Sequence, residues 1–131
     1  MNDNILVVED DPANQQVASL FLEKLGYSSE IAVDGKTAVE LAQNKKYLLI
    51  FMDCQMPILN GFKASISIRS SDGPNQRTPI IALTANIIDS VGENCRNAGM
   101  DDILAKPINI INMTQILDKW IGQSSIGKVS N

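Results

Sequence analysis

The chain has 131 residues, 44% of them apolar, which suffices for one hydrophobic core and is too short for two ordinary domains. A net charge of -4 without a basic run excludes a sequence-independent grip on nucleic acid, which needs clustered Lys and Arg. There is no His, so imidazole bases and His-containing triads are excluded, and any chemistry must run on carboxylates, Lys, Thr or a metal.

Ile5-Leu6-Val7-Val8 is a short apolar run that reads as a strand covered on both faces. Asp11-Pro12 has the order of a helix N-cap followed by Pro at the first helical position, and Val17, Leu20 and Phe21 are read as the core face of that helix. Gly26 closes it. A weaker strand is expected over Ser28 to Ala32, after which Asp34-Gly35 turns the chain into a helix through Val39 and Ala42. Leu48 to Met52 forms the third strand, and Ser70 to Thr78, with Asp72-Gly73-Pro74, reads as a surface loop. The fourth strand is Pro79 to Leu83, followed by a helix with Ile87, Ile88, Val91, Cys95 and Ala98 on its core face. Ile103-Leu104-Ala105 is the fifth strand, and Met113, Ile116, Leu117, Trp120 and Ile121 mark the final helix.

Strand then helix, five times over, defines an α/β fold: a doubly wound five-stranded parallel sheet with right-handed crossovers. Residues 1–122 are assigned to this single domain and 123–131 to a polar C-terminal tail. The apolar stretches, about five residues each, are far below the roughly twenty that span a bilayer, and the N-terminus lacks a signal-peptide layout. The domain is therefore read as cytosolic, without membrane contact. Two cysteines, Cys54 and Cys95, support neither a disulfide framework nor a zinc site and are read as small buried hydrophobes.

In open parallel sheets ligands bind beyond the carboxyl ends of the strands. Glu9, Asp10 and Asp11 follow the first strand and Asp53 follows the third, so the topology brings these carboxylates to one edge. Crowded like charges there are relieved by a hard divalent cation such as magnesium. Asp11 is assigned to helix capping, which leaves Glu9 and Asp10 for the site. Thr84 and Lys106 end the fourth and fifth strands and offer the hydroxyl donor and fixed cation that a phosphoryl group requires beside a carboxylate.

The motifs Ile-Leu-Val-Val-Glu9-Asp10, Met52-Asp53-Cys-Gln-Met-Pro57, Ala82-Leu-Thr84-Ala and Ala105-Lys106-Pro107 together resemble the receiver domain of response regulators and hybrid sensor kinases. The likeness runs from about Asn4 to Ile121. It implies a flavodoxin-like (βα)5 fold with strand order 2-1-3-4-5, an order the field illustrates with a chemotaxis receiver. It further implies that Asp53 is the phosphoacceptor in a two-component phosphorelay, that Asp10 and Asp53 ligate Mg2+ with the backbone carbonyl of Gln55, and that Glu9 acts through water. Thr84 and Lys106 are implied to bind the phosphoryl oxygens, with Lys106 pairing with Asp53 beforehand across a cis Lys106-Pro107 bond. Implied partners are a histidine kinase, a histidine phosphotransfer protein, or both. Family members also catalyse their own phosphorylation and dephosphorylation, which is catalysis in a limited sense and not a conventional enzyme activity.

Asn14-Gln15, the Cys-Gln-Met-Pro context and Ala98-Gly99-Met100-Asp101-Asp102 are most like receivers of hybrid histidine kinases. One position departs from the pattern: three residues before the lysine the family commonly carries Tyr or Phe, and here Ile103 stands there. A competing class, the phosphatases of the haloacid dehalogenase type, places a second Asp two residues after its nucleophile. Gln55 occupies that position and cannot act as general acid or base.

Overall fold

Four apolar runs and the weaker segment Ser28–Ala32 become five strands, each followed by a helix, in the computed structural model, which describes residues 4–54, 61–85 and 89–121. The order is β1 (Asn4–Val8), α1 (Pro12–Lys24), β2 (Ser28–Ala32), α2 (Gly35–Asn44), β3 (Leu49–Asp53), α3 (Gly61–Ser70), β4 (Ile80–Thr84), α4 (Asp89–Asn97), β5 (Asp102–Ala105) and α5 (Ile110–Leu117). The sheet runs β2-β1-β3-β4-β5. Every pairing is parallel, as the βαβ pattern requires.

Alternation along the strands divides the core in two. Leu6, Val8, Ile50, Met52, Ile80 and Ala82 face one way and pack under Ala38 and Ala42 of α2, Ala64 and Ile68 of α3, and Cys95 of α4. Ile5, Val7, Leu49, Phe51, Ile81 and Leu83 face the other way and meet Ala18 and Leu22 of α1 with Met113, Ile116 and Leu117 of α5. Each fully buried Val, Leu, Ile, Phe or Met among them contributes about 1.5–3 kcal/mol relative to leaving it exposed, and the alanines less, which makes this two-sided core the main source of order.

Three details differ from the sequence reading. Val17 and Leu20 are 36% and 49% exposed, so the buried face of α1 is Ala18 and Leu22, with Phe21 partly covered. The stripe was set one position off because the small Ala18 carries little hydrophobic signal. Asp53 and Thr84 are the last residues of their strands and do not follow them. The segment from Ser70 to Thr78 is also more than a surface loop. Asn75 within it is fully buried, donating to the carbonyls of Ala42 and Lys45 at 2.6 Å each and accepting from Tyr47 N at 2.8 Å. Arg69 anchors the same loop through the carbonyls of Gln76 (2.9 Å) and Thr78 (2.8 Å), and reaches Asp101 at 2.7 Å. Buried backbone groups must be paired, and these two side chains do that work at the edge of the sheet opposite the acidic residues.

Helix starts follow the expected chemistry. Asp11 caps α1, accepting from Ala13 N at 3.3 Å with Pro12 next in line. Asp34 caps α2 through Thr37 N at 2.8 Å, and Asn109 caps α5 through Asn112 N at 2.8 Å. Gly26 ends α1 at φ 93°, a left-handed conformation that disfavours any Cβ.

Candidate phosphoacceptor site

Register places the functional side chains before any of them interact. Val8 lies opposite Met52, Asp53 opposite Leu83 and Thr84 opposite Ala105, so β1, β3, β4 and β5 finish at one edge. Three backbone bonds continue the sheet one residue past the strands: Glu9 N to Ala32 O at 2.9 Å, Cys54 N to Leu83 O at 3.1 Å, and Lys106 N to Thr84 O at 2.9 Å. Glu9 and Lys106 are thereby held as firmly as strand residues.

Lys106 reaches across the sheet end between two acids. Its Nζ is 3.0 Å from Asp53 Oδ2 and 3.0 Å from Glu9 Oε1. Glu9 and Asp53 are 1% and 2% exposed, whereas Asp10 is open to solvent. The Glu9 backbone is secured by Gln15, whose Nε2 donates to the Glu9 carbonyl at 2.7 Å, and its Oε2 accepts from Asp11 N at 3.2 Å. Thr84, also buried, closes the adjoining strand. The peptide bond Lys106-Pro107 is cis, as the resemblance led one to expect.

The electrostatics reflect the crowding. Burial raises the Glu9 pKa and the nearby Asp53 charge adds to this, against the opposing pull of Lys106 and the Asp11 amide. For Lys106 burial acts to depress the pKa, but the Asp53 and Glu9 carboxylates outweigh it and raise the ammonium above its ordinary value. The cation is therefore fixed in its charged form.

The residues also suit a magnesium ion. Carboxylate oxygens from Glu9, Asp10 and Asp53 lie within 4.8 Å of one another. Glu9 Oε1 is buried, and the Lys106 ammonium at 3.0 Å is the contact the structure gives it. An all-oxygen donor set of three crowded carboxylates, with Asp10 open to solvent, matches a hard cation that keeps several waters.

The structure thus assembles Glu9, Asp10, Asp53 and Lys106, sets Thr84 on the neighbouring strand end, and assigns Asp11 to its cap. Gln55 lies outside the described residues. The sequence reading missed Gly61. A Cβ at that position would collide with the Asp53 carbonyl, so only glycine lets α3 begin against the end of β3. The signal was available only as an unassigned glycine shortly after Asp53.

A parallel sheet in this order, ending in an acidic cluster bridged by a lysine, defines the phosphoacceptor domains of two-component signalling. The chain belongs to the response regulator receiver domain family, which matches residues 5–118. Over 127 residues it is 40% identical to the hybrid signal transduction protein dokA of Dictyostelium discoideum, covering 97% of this chain and 7% of dokA. The chain thus spans only a small part of the curated relatives it matches. Among solved structures, the receiver domain of sensor histidine kinase PA1611 from Pseudomonas aeruginosa PAO1, with magnesium coordinated in its active site cleft, superposes with a TM-score of 0.85 at 44% identity. That match covers 93% of this chain and 99% of the other. The co-crystal structure of the Saccharomyces cerevisiae phosphotransfer protein Ypd1 with the receiver domain of Ssk1 gives a TM-score of 0.84 at 30% identity, covering 95% of this chain and 92% of that one.

Proposed function

We propose that Asp53 accepts a phosphoryl group from a phosphohistidine, in a site where Asp10, Asp53 and the Gln55 carbonyl hold Mg2+ and Glu9 contributes through water. An Asp53 carboxylate oxygen forms the new bond to phosphorus, the phosphorus–nitrogen bond breaks, and its electron pair stays with the imidazole. When bound, magnesium offsets the crowded carboxylates and the charge on the transferring oxygens. Lys106 moves from pairing with Asp53 to pairing with a phosphoryl oxygen, and Thr84 donates to another. Attack by water on phosphorus breaks its bond to the Asp53 oxygen, releases inorganic phosphate and returns the site to its starting state. These are single-turnover steps of a signalling domain, consistent with catalysis limited to its own phosphorylation and dephosphorylation.

The observation that carries this reading is the Lys106 ammonium held 3.0 Å from both Asp53 and Glu9 beside the exposed Asp10. The donor is a histidine kinase, a histidine phosphotransfer protein, or both in sequence, a reading that the Ssk1 and dokA likenesses support. Among the described residues no helix is long and apolar enough to cross a membrane, and we assign the domain to the cytoplasm, as a free protein or as part of a larger kinase. Residues 1–122 form the receiver unit in this reading and 123–131 its tail. The experiment is intact-mass analysis after acetyl phosphate and Mg2+ treatment: one phosphoryl mass is gained, and both a chelator and Asp53→Asn abolish it. Labelling that persists in Asp53→Asn removes Asp53 from its role.

A further inference from the structure

A cavity of about 180 Å³ lies between α4 and β5, and none of its lining residues belongs to the acidic edge. Its apolar wall is Cys95, Met100 and Ile103; the first two are 2% and 4% exposed, so the wall is a recess into the core and not a surface patch. An apolar cavity of about 150 Å³ takes a benzene ring, so this one has room for a single ring with a small substituent. Gly92 of α4 forms another part of the lining. A Cβ there would meet only Arg96 Nη1, at an ordinary 3.7 Å, so packing does not require glycine at this position. Glycine inside a helix is destabilising relative to alanine, and what the missing side chain leaves here is open space in the cavity wall.

The charged residues lining the cavity are Arg96, Asp101 and Asp102. Asp101 is committed to Arg69 at 2.7 Å and to the Ile80 amide at 2.9 Å, and Asp102 to Lys119 and Trp120 Nε1 at 3.0 Å each. Arg96 is exposed, and among the described residues no carboxylate pairs with it. Its guanidinium is thus the charge left to meet a ligand, and its planar fork suits a carboxylate, which it binds through two parallel hydrogen bonds. Met100 adds a polarizable thioether, which makes favourable contacts with an aromatic ring. We propose that this cavity binds a small monocyclic aromatic carboxylate, the ring against Met100, Ile103 and Cys95 and the carboxylate on Arg96. The site shares no residue with the phosphoacceptor cluster and does not rest on the reading of Asp53.

The test is an amide chemical-shift titration of the full chain with benzoate, followed by NMR. Saturable shifts are expected at Gly92, Cys95, Met100 and Ile103, with half-saturation on the order of 1 mM, a modest affinity for so small a ligand. Acetate, which has the head without the ring, and benzamidinium, which has the ring with the opposite charge, are each expected to bind at least tenfold more weakly. Arg96→Gln is expected to weaken benzoate at least tenfold, Arg96→Lys to lose less, and Ile103→Trp, which fills the cavity, to abolish binding. The absence of saturable shifts at these residues, up to about tenfold the expected half-saturation, overturns the site. Equal shifts with acetate overturn the apolar wall as the seat of a ring, and tighter binding of benzamidinium overturns Arg96 as the deciding charge in favour of Asp101 and Asp102. The ligand series on the unsubstituted protein decides the matter alone if a variant fails to fold.

Discussion

Lys106 Nζ stands 3.0 Å from Asp53 Oδ2 and 3.0 Å from Glu9 Oε1, so one ammonium spans the ends of adjacent strands β1 and β3. Removing it takes this cation from two buried carboxylates that crowd each other. Lys106→Ala is expected to keep the fold and lower stability by about 1–3 kcal/mol at neutral pH, with Mg2+ restoring part of the loss. Urea unfolding with and without Mg2+ measures this. The variant should still take up phosphoryl groups to some extent, because the lysine reads the phosphoryl charge and does not supply the nucleophile. It should lack the chemical-shift changes that follow phosphorylation in the unsubstituted protein, and their persistence would count against a reporting role for Lys106.

Asp10 and Asp11 are neighbours with different tasks. Asp11 caps α1, a role Asn fills equally well, whereas Asp10 contributes an exposed carboxylate to the acidic cluster. Asp10→Asn should therefore weaken Mg2+ affinity at least tenfold, a loss of about 1.4 kcal/mol, and Asp11→Asn should change it little. Calorimetric titration with Mg2+ checks both, and equal losses mean that the division of roles within the triplet is wrong.

The site was legible because strand ends carry it. Each apolar run is short, continuous and followed at once by a chemical group, so fixing the strand also fixes Glu9, Asp53, Thr84 or Lys106. The pattern faded where packing uses small or polar side chains. The core face of α1 depends on Ala18, and α3 packs with Ala64 and Ser65, residues that produce no hydrophobic stripe. Asn75 looked like a loop residue because burial of an amide is decided by the distant carbonyls of Ala42 and Lys45. Gly61 was illegible for a similar reason: its need for glycine comes from the Asp53 carbonyl, a contact that exists only after α3 docks.

Asp102 provides a pH test away from the site. Burial acts to raise its pKa, but Lys119 at 3.0 Å, Trp120 Nε1 at 3.0 Å and the Ile103 amide outweigh it and hold the carboxyl below its ordinary value of 3.8. A depressed carboxyl contributes stability that is present above its unfolded pKa and is lost as pH falls through the folded value. The lysine partner is well exposed, so the contribution is modest, about 0.5–1 kcal/mol. Asp102→Asn should lower stability by that amount at pH 7 and by almost nothing once the pH is well below 3.8. Denaturant midpoints at the two ends of this range give the answer, and a pH-independent difference would show that the ion pair is not its source.

Ile103 stands where receivers commonly carry an aromatic ring, and the structure shows what the smaller side chain does there. It lies opposite Ala82 on β5, is only partly buried against the core, and borders the cavity between α4 and β5. A ring couples site to surface by a discrete rotamer change, whereas Ile is stiff at its first torsion and has fewer atoms to move. Coupling through this position is therefore weak. Ile103→Ala should cost about 1–2 kcal/mol, less than full truncation of a core isoleucine because the residue is already part exposed, and should leave phosphoryl uptake unchanged. Any difference in partner affinity between active and inactive forms should survive in Ile103→Ala and disappear in Thr84→Ala, which lacks the hydroxyl proposed to follow the phosphoryl group. Titration of a phosphotransfer partner against untreated and beryllofluoride-treated protein, beryllofluoride standing in for the phosphoryl group, measures the difference for each variant. If Ile103→Ala folds, takes up phosphate and yet no longer discriminates between the two forms, the isoleucine itself carries the switch.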